Sequence, residues 1–197
     1  MNYSKRQFEI LNKSIELISE RGIQNLTIKN LSHKIGISEP AIYRHFENKF
    51  EILKAILTLF KTAIESNFNL INDFEISAID KIEKIFDDHI IKFSSNHHYA
   101  AVIFSEDLFK NEHRLSDLIE NIMMLNIENT KKIIIDGQKN GEIRDDIKPK
   151  ELSTIILGSL RLLVKEWAQN GFKSDLIKDG NSLKNSIIKI IKNKSNN

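Results

Sequence analysis

Residues 26–53 read Leu26-Thr27-Ile28-Lys29-Asn30-Leu31-Ser32-His33-Lys34-Ile35-Gly36-Ile37-Ser38-Glu39-Pro40-Ala41-Ile42-Tyr43-Arg44-His45-Phe46-Glu47-Asn48-Lys49-Phe50-Glu51-Ile52-Leu53. Thr27 is a helix-capping residue type, and Ile28, Leu31 and Ile35 follow at the spacing of one helical face. This predicts a helix of about two turns, stopped by Gly36, which tolerates positive φ. Ser38 caps a further helix with Pro40 in its first turn, where a missing amide proton does no harm, and Ile42 with Phe46 forms its buried edge. Two short helices joined by Gly36-Ile37-Ser38, the second running into basic and aromatic residues, have the layout of a helix-turn-helix. A helix can enter a major groove about 12 Å wide only if its outer face is free of bulky apolar groups. Glu39, Ala41, Arg44 and His45 leave such a face while Ile42 and Phe46 point inward.

Upstream, Ser4 with Gln7 has the spacing of a capping box and Tyr3 with Phe8 that of a hydrophobic staple. Phe8, Leu11, Ile15 and Ile18 then mark an amphipathic first helix ended by Gly22. Downstream, Phe50, Leu53, Leu57, Phe60, Ile64, Phe68 and Ile71 form a stripe with no Gly or Pro, which predicts one helix from Asn48 to Asn72. Helices follow at Ile79 to Phe93, Ala100 to Phe109, Leu115 to Ile135 (closed by Asn140-Gly141), Lys150 to Asn170 (closed by Gly171) and Leu183 to Asn193, with a polar tail beyond. Isoleucine, 34 of 197 residues, favours strands by propensity, but period, length and caps all indicate helix. The expected fold is all-α, with nine helices in two domains: a helix-turn-helix domain at 1–48 and a larger helical domain at 49–197.

Composition narrows the function. Apolar residues at 41% and charged residues at 28% exclude a disordered chain. Seven Gly and two Pro are too few for a turn-rich sheet protein or for dinucleotide-binding loops. Cys is absent, which removes disulfides, thiolate nucleophiles and zinc–cysteine sites. No 18-residue apolar stretch occurs and no hydrophobic segment follows Lys5-Arg6, so a cytoplasmic protein, neither exported nor membrane-spanning, is expected. Residues 1–50 carry eight Lys and Arg against five Asp and Glu, the remainder 21 against 22, an excess that suits an anionic partner at the amino end.

The run from Leu26 to Leu53 closely resembles the DNA-binding signature of the TetR family of bacterial transcription regulators, above all in Gly36-Ile37-Ser38, Tyr43-x-His45-Phe46 and Lys49 with Leu53. Thr27, Tyr43 and Lys49 offer a hydroxyl, a phenol and an ammonium near helix starts, where amides and the helix dipole favour a phosphate. The resemblance implies that these positions grip the DNA backbone. Lys29, Ala41, Arg44 and His45 are candidates for groove contacts, Arg44 reading guanine and Ala41 touching a thymine methyl. His45 either packs or meets a phosphate. Glu39 either accepts from a cytosine amino group or caps its helix. Ser38 and Pro40, at the start of that helix, complete the predicted contact set.

In the larger domain Phe60, Ile64, Phe68, Phe86, Phe93, Phe104, Leu108, Met123, Met124 and Ile127 either fill a core or line a pocket for a small hydrophobic effector. His89 either offers that pocket one polar contact or faces water beside Asp87 and Asp88. No metal or cofactor is expected, since neither His-Glu-x-x-His nor Glu-x-x-His occurs. The helix at 150–170 is apolar nearly all round, and the last helix carries a wide apolar stripe. Pairing both with a second copy would make a four-helix interface through Leu160, Leu163, Val164, Trp167, Ile187 and Ile191, which is how TetR-like proteins dimerise.

The expected function is a ligand-responsive regulator binding a pseudo-palindromic double-stranded operator as a homodimer. Repression relieved by the ligand is the family default, with activation as the other sign. A DNA-binding regulator controlled by a protein partner is the alternative. An enzyme is the remoter one: nucleophile-elbow, phosphate-loop and dinucleotide motifs are missing, and Glu106, Asp107 and Glu112 would be the carboxylates to test.

Overall fold

The computed structural model describes residues 3–104 and 113–193. They contain nine α-helices and no strand: α1 (Lys5–Arg21), α2 (Ile28–Ile35), α3 (Glu39–Tyr43), α4 (Lys49–Asp73), α5 (Ala78–Ser95), α6 (His98–Ile103), α7 (His113–Lys139), α8 (Pro149–Gln169) and α9 (Leu176–Ile191). A single turn of 3₁₀ helix, Ile23–Asn25, joins α1 to α2. Leu108 and Phe109 of the predicted sixth helix, the carboxylates Glu106, Asp107 and Glu112, and the last four residues of the polar tail lie outside the described residues. The predicted ninth helix starts too late. It opens at Leu176, where the Asp175 carboxylate accepts from the amides of Ile177 and Lys178.

Isoleucine's strand preference spans only about 1 kcal/mol. Burying its side chain gains about 1.5–3 kcal/mol, so position on a helical face decides. Ile10, Ile42, Ile52, Ile82, Ile134 and Ile156 are wholly buried on helices.

The chain forms two compact units, Met1–Thr62 with His98–Glu120 and Ala63–His97 with Asn121–Asn197. α4 and α7 each begin in the first and end in the second. The division expected at residues 48 and 49 follows the end of the helix-turn-helix. The compact first unit runs further along α4 and takes in α6 and the start of α7.

In the first unit α1 packs against α2 and α6, burying Ile10, Leu11, Ile15, Leu17 and Ile18. The Arg114 guanidinium of α7 lies over the Phe50 ring of α4, 3.9 Å from its centroid, and Phe60 meets Tyr99 edge-on at 5.2 Å. Each such contact holds a helix to α4 at a defined rotation.

In the second unit α5 packs on α8 and α9. A Cβ at Gly180 of α9 would stand 2.6 Å from Ile90 Cγ1, so these two backbones approach closely. The α7–α8 connection is tied to the end of α9: the Arg144 amide donates to the Ile191 carbonyl at 2.9 Å, its guanidinium to that of Ile190 at 3.2 Å, and the Asn193 amide to Glu142 at 3.0 Å. At the end of α8, Phe172 sits at φ 62, a conformation a side chain adopts at a cost of about 1–2 kcal/mol. Its amide donates to the Trp167 carbonyl at 2.9 Å and its ring meets that of Trp167 edge-on at 4.8 Å, closing the helix as a Schellman motif closes with its apolar contact.

Candidate nucleic-acid interface

The caps read from the sequence set the geometry of the amino-terminal helices. Ser4 and Gln7 bond each other reciprocally at 2.9 and 3.2 Å, and Tyr3 meets Phe8 edge-on at 5.9 Å, so α1 starts at a fixed angle. Thr27 accepts from the Asn30 amide at 3.1 Å to begin α2. Gly36, left-handed at φ 79 and ψ 32, ends it. The chain then turns through Ile37, whose amide, like that of Gly36, donates to the Ser32 carbonyl. Ser38 stands at the N-cap of α3 as expected, but its side chain makes no capping bond. Pro40 occupies the first turn, and α3 itself has only five residues. Ile42, wholly buried, and Phe46, 6% exposed, anchor it from inside.

The face opposite those anchors is open to water. Thr27, Lys29, Ser38, Glu39, Pro40 and Arg44 are exposed, Tyr43 is 52% exposed, and Ala41 and His45 are half-buried. Charge on this face is free to act: among the described residues neither Lys29 nor Arg44 has an ion-pair partner. Lys34, one helix face away, is already used, its ammonium 2.8 Å from Glu20 and 3.6 Å from Glu16 of α1. These ties fix α2 on α1 but leave no cation spare there.

Lys49 differs from the expectation. Its half-buried ammonium donates to the Ile23 carbonyl at 2.9 Å, tying the start of α4 to the 3₁₀ turn, and burial pulls its pKa down. One of its three donors is thus engaged internally, leaving two for an anion. Sequence spacing gave no sign of this bond, which joins residues 26 positions apart.

The residues expected to line a pocket separate by burial. Phe60, Phe68, Phe86 and Phe93 are buried, Ile64, His89, Phe104 and Ile127 half-buried, and Met123 and Met124 exposed, at 42% and 50%. Met123 therefore turns away from the interior that was expected to hold it. His89 Nδ1 lies 3.2 Å from the Ile85 carbonyl, which makes it the protonated nitrogen and leaves Nε2 an acceptor. Enclosure of the ring, with the Lys92 charge adding to it, pushes its pKa down to about 4.

The ring is thus neutral in the fold and charges in the unfolded chain below pH 6.5. Its stabilising contribution is complete above that pH and is lost as the pH falls toward 4. Thermal unfolding should show a loss of about 3 kcal/mol across this window that His89→Gln removes. An unchanged pH profile in the variant would place the titration elsewhere.

The residues expected at a dimer interface are mostly covered within the protomer. Leu160, Val164, Trp167, Ile187 and Ile191 are between 0% and 7% exposed, and only Leu163 is half-buried. Side chains already covered by their own protomer have no surface left for a second copy. The apolar side chains that α8 does expose are Ile155 at 40% and Leu162 at 55%, and α9 exposes Ile177 at 50% and Ile190 at 44%. The sequence shows α8 apolar all round but not which side meets α9; Leu160, Val164 and Trp167 are on the buried side.

Among the described residues no helix is long and apolar enough to cross a membrane. What remains is an all-helical protein whose short, anchored third helix presents polar and basic side chains: the arrangement of a helix-turn-helix DNA-binding regulator. A sequence profile of bacterial regulatory proteins of the tetR family matches residues 10–56, and one described as YsiA-like protein, C-terminal region, matches residues 54–190. The chain belongs to the TetR family and is a DNA-binding transcriptional regulator. It is 22% identical over 192 residues to the fatty acid metabolism regulator protein of Bacillus subtilis, covering 96% of this chain and 97% of that one. It is 27% identical over 174 residues to the nucleoid occlusion factor SlmA of Vibrio vulnificus, covering 86% and 87%. The fold superposes on the transcriptional regulator FadR from Bacillus subtilis in complex with stearoyl-CoA with a TM-score of 0.77 at 22% identity, over 92% of this chain and 97% of that one.

Proposed function

We propose that the protein is a homodimeric repressor that binds a pseudo-palindromic operator and leaves it when a small, largely hydrophobic molecule binds the C-terminal domain. The observation that carries this reading is α3, held from inside by Ile42 and Phe46 while Glu39, Pro40, Tyr43 and Arg44 stand in water. Arg44 reads guanine, Ala41 touches a thymine methyl, and Lys29 and His45 flank them at the groove. Thr27, Tyr43 and the two remaining Lys49 donors hold phosphates, and Ser38, Glu39 and Pro40 set the helix start against the duplex. Residues 1–48 form the DNA-binding domain, and residues 49–197 sense and dimerise.

Two recognition helices must meet successive major grooves about 34–36 Å apart. The ligand acts by favouring a dimer in which α4 holds them at another separation, and its effect on DNA affinity is bounded by its differential affinity for the two states. The likeness to a fatty acid metabolism regulator, and to a fold solved with stearoyl-CoA, supports a long-chain acyl thioester as the ligand class. Operator fragments selected from the source genome should be released by micromolar stearoyl-CoA. Retention at saturating stearoyl-CoA contradicts this ligand class. The likeness to a nucleoid occlusion factor supports the second reading, a regulator set by a protein partner, in which no apolar compound raises the melting temperature.

The outer face of α8 is the proposed dimer surface: Ile155, Gly158 and Leu162 share one side of the helix, and a Cβ at Gly158 meets nothing within its own protomer. Leu162→Glu should leave the protomer folded and raise the dimer dissociation constant at least about tenfold in sedimentation equilibrium, since it places a carboxylate in an apolar contact. A dimer as tight as the unsubstituted one would move the interface elsewhere.

A further inference from the structure

Four polar side chains are buried among the described residues, and three of them have a partner. Ser14, Ser32 and Ser153 each donate a hydroxyl to a backbone carbonyl of the preceding turn, those of Ile10 at 2.7 Å, Lys29 at 2.8 Å and Pro149 at 2.7 Å. Thr130, wholly buried in α7, breaks the pattern: its Oγ1 has no hydrogen-bond partner. One turn earlier Asn126 donates through Nδ2 to the Ile122 carbonyl at 3.0 Å. That bond fixes the orientation of its amide and leaves Oδ1 buried and also without a partner. Residues four apart lie one above the other on a helix face. Further along α7 lie Ile133 and Ile134, both buried, so two polar atoms stand where Val and Leu of matching shape would have served a core better.

We propose that Thr130 and Asn126 are a recognition pair for an amide group carried by the ligand. The Thr130 hydroxyl donates to the amide carbonyl, and Asn126 Oδ1 accepts from the amide N–H. A carboxylate cannot satisfy both, because it has no N–H for Asn126 and would bury its charge. This rests on the reading of the protein as a ligand-responsive regulator, and it names the group that the responding ligand carries. A coenzyme A thioester has two such amides in its pantetheine arm, and a simple fatty amide has one; the shared chemistry is the amide.

The test uses the full chain and three probes: stearoyl-CoA, N-methylstearamide, and stearate, which has the same acyl chain without an amide. Affinities and melting temperatures are measured for the unsubstituted protein, Thr130→Val and Asn126→Leu, with Thr130→Ser keeping the hydroxyl. The pair predicts that both amides bind about tenfold more weakly to Thr130→Val and to Asn126→Leu, that Thr130→Ser stays within about twofold, and that stearate responds to none of the changes. Thr130→Val should melt no lower than the parent, since it removes an unpaired buried atom and breaks no hydrogen bond. Amide affinities unchanged in the variants would overturn the pair while leaving the ligand reading intact. A Thr130→Ser loss as large as that of Thr130→Val would do the same, by showing that shape rather than the hydroxyl matters. Failure of all three probes to bind the unsubstituted protein would overturn the pair and the acyl-ligand reading together.

Discussion

Arg44→Ala combined with Tyr43→Ala should weaken operator binding by about a hundredfold to a thousandfold, with each single variant failing in its own way. Arg44 is exposed at the end of α3 and has no ion-pair partner among the described residues. Its guanidinium can therefore pair bidentately with a guanine edge, worth about 1–3 kcal/mol of discrimination. Losing it should relax preference at one base position. Tyr43, 52% exposed on the same short helix, has only a phenol to offer and lies where a phosphate contact is expected. Its loss should weaken every duplex alike. Lys29→Ala should reduce the slope of log affinity against log salt by about one, the signature of one lost phosphate contact. Lys49→Ala is a poorer probe of the interface, because it also breaks the bond to the Ile23 carbonyl that ties α4 to the 3₁₀ turn. Fluorescence anisotropy with a selected operator and with scrambled duplexes separates these effects. Identical behaviour of the Arg44 and Tyr43 variants on both would refute the division of roles.

Gly137→Val should lower stability by about 3 kcal/mol, or about 6–12 °C in melting temperature for a chain of this size. Gly137 lies in α7, where a helix would gain up to about 1 kcal/mol from almost any other residue. A Cβ there would stand 2.6 Å from the Ala78 Cβ and 2.7 Å from Ile143 Cδ1, and the first of these atoms cannot rotate away. Overpacking therefore outweighs propensity. The same contact aligns a working joint, since the Ala78 amide at the start of α5 donates to Glu142 at 2.6 Å and the Glu142 carbonyl receives the Asn193 amide. Gly180→Ala should cost less, because its obstacles are the Cδ1, Cγ1 and Cγ2 atoms of Ile90, a side chain that can change rotamer. Calorimetry of the two variants that gave the reverse order would show that the α5–α9 approach is the tighter of the two.

Local chemistry was legible wherever a few neighbouring residues decide it. The Ser4–Gln7 capping box, the Thr27 cap and the left-handed Gly36 act within four residues of chain, and the sequence states them directly. The long stripe of α4 likewise needs no partner to be recognised. Contacts between distant residues were not legible. Gly180 sits inside α9, upstream of the start expected at Leu183, where Ile90 of α5 occupies the space a side chain would take. The inward face of α8 could not be told from its outward face, since both are apolar and only the packing of α9 distinguishes them. Phe172 in a left-handed conformation has no local signal either; its ring contact with Trp167 holds it there. For the nucleic-acid face, the spacing of Ile42 and Phe46 correctly placed the anchors, and exposure of their neighbours follows from that. Lys49 meets Ile23 and Lys34 meets Glu20 across 26 and 14 positions of chain, separations at which local spacing carries no signal.

The proposed regulator lays the face of α2 and α3, from Thr27 to Lys49, against a DNA duplex. The most direct test is binding of the purified protein to fragments of its source genome across a range of salt concentrations, with and without the Arg44→Ala and Tyr43→Ala changes. Selective retention of a pseudo-palindromic fragment, steep loss of affinity with salt, and loss of retention in the double variant are the predicted results. Equal, weak binding to all fragments at low salt, unaffected by the double variant, would contradict the account.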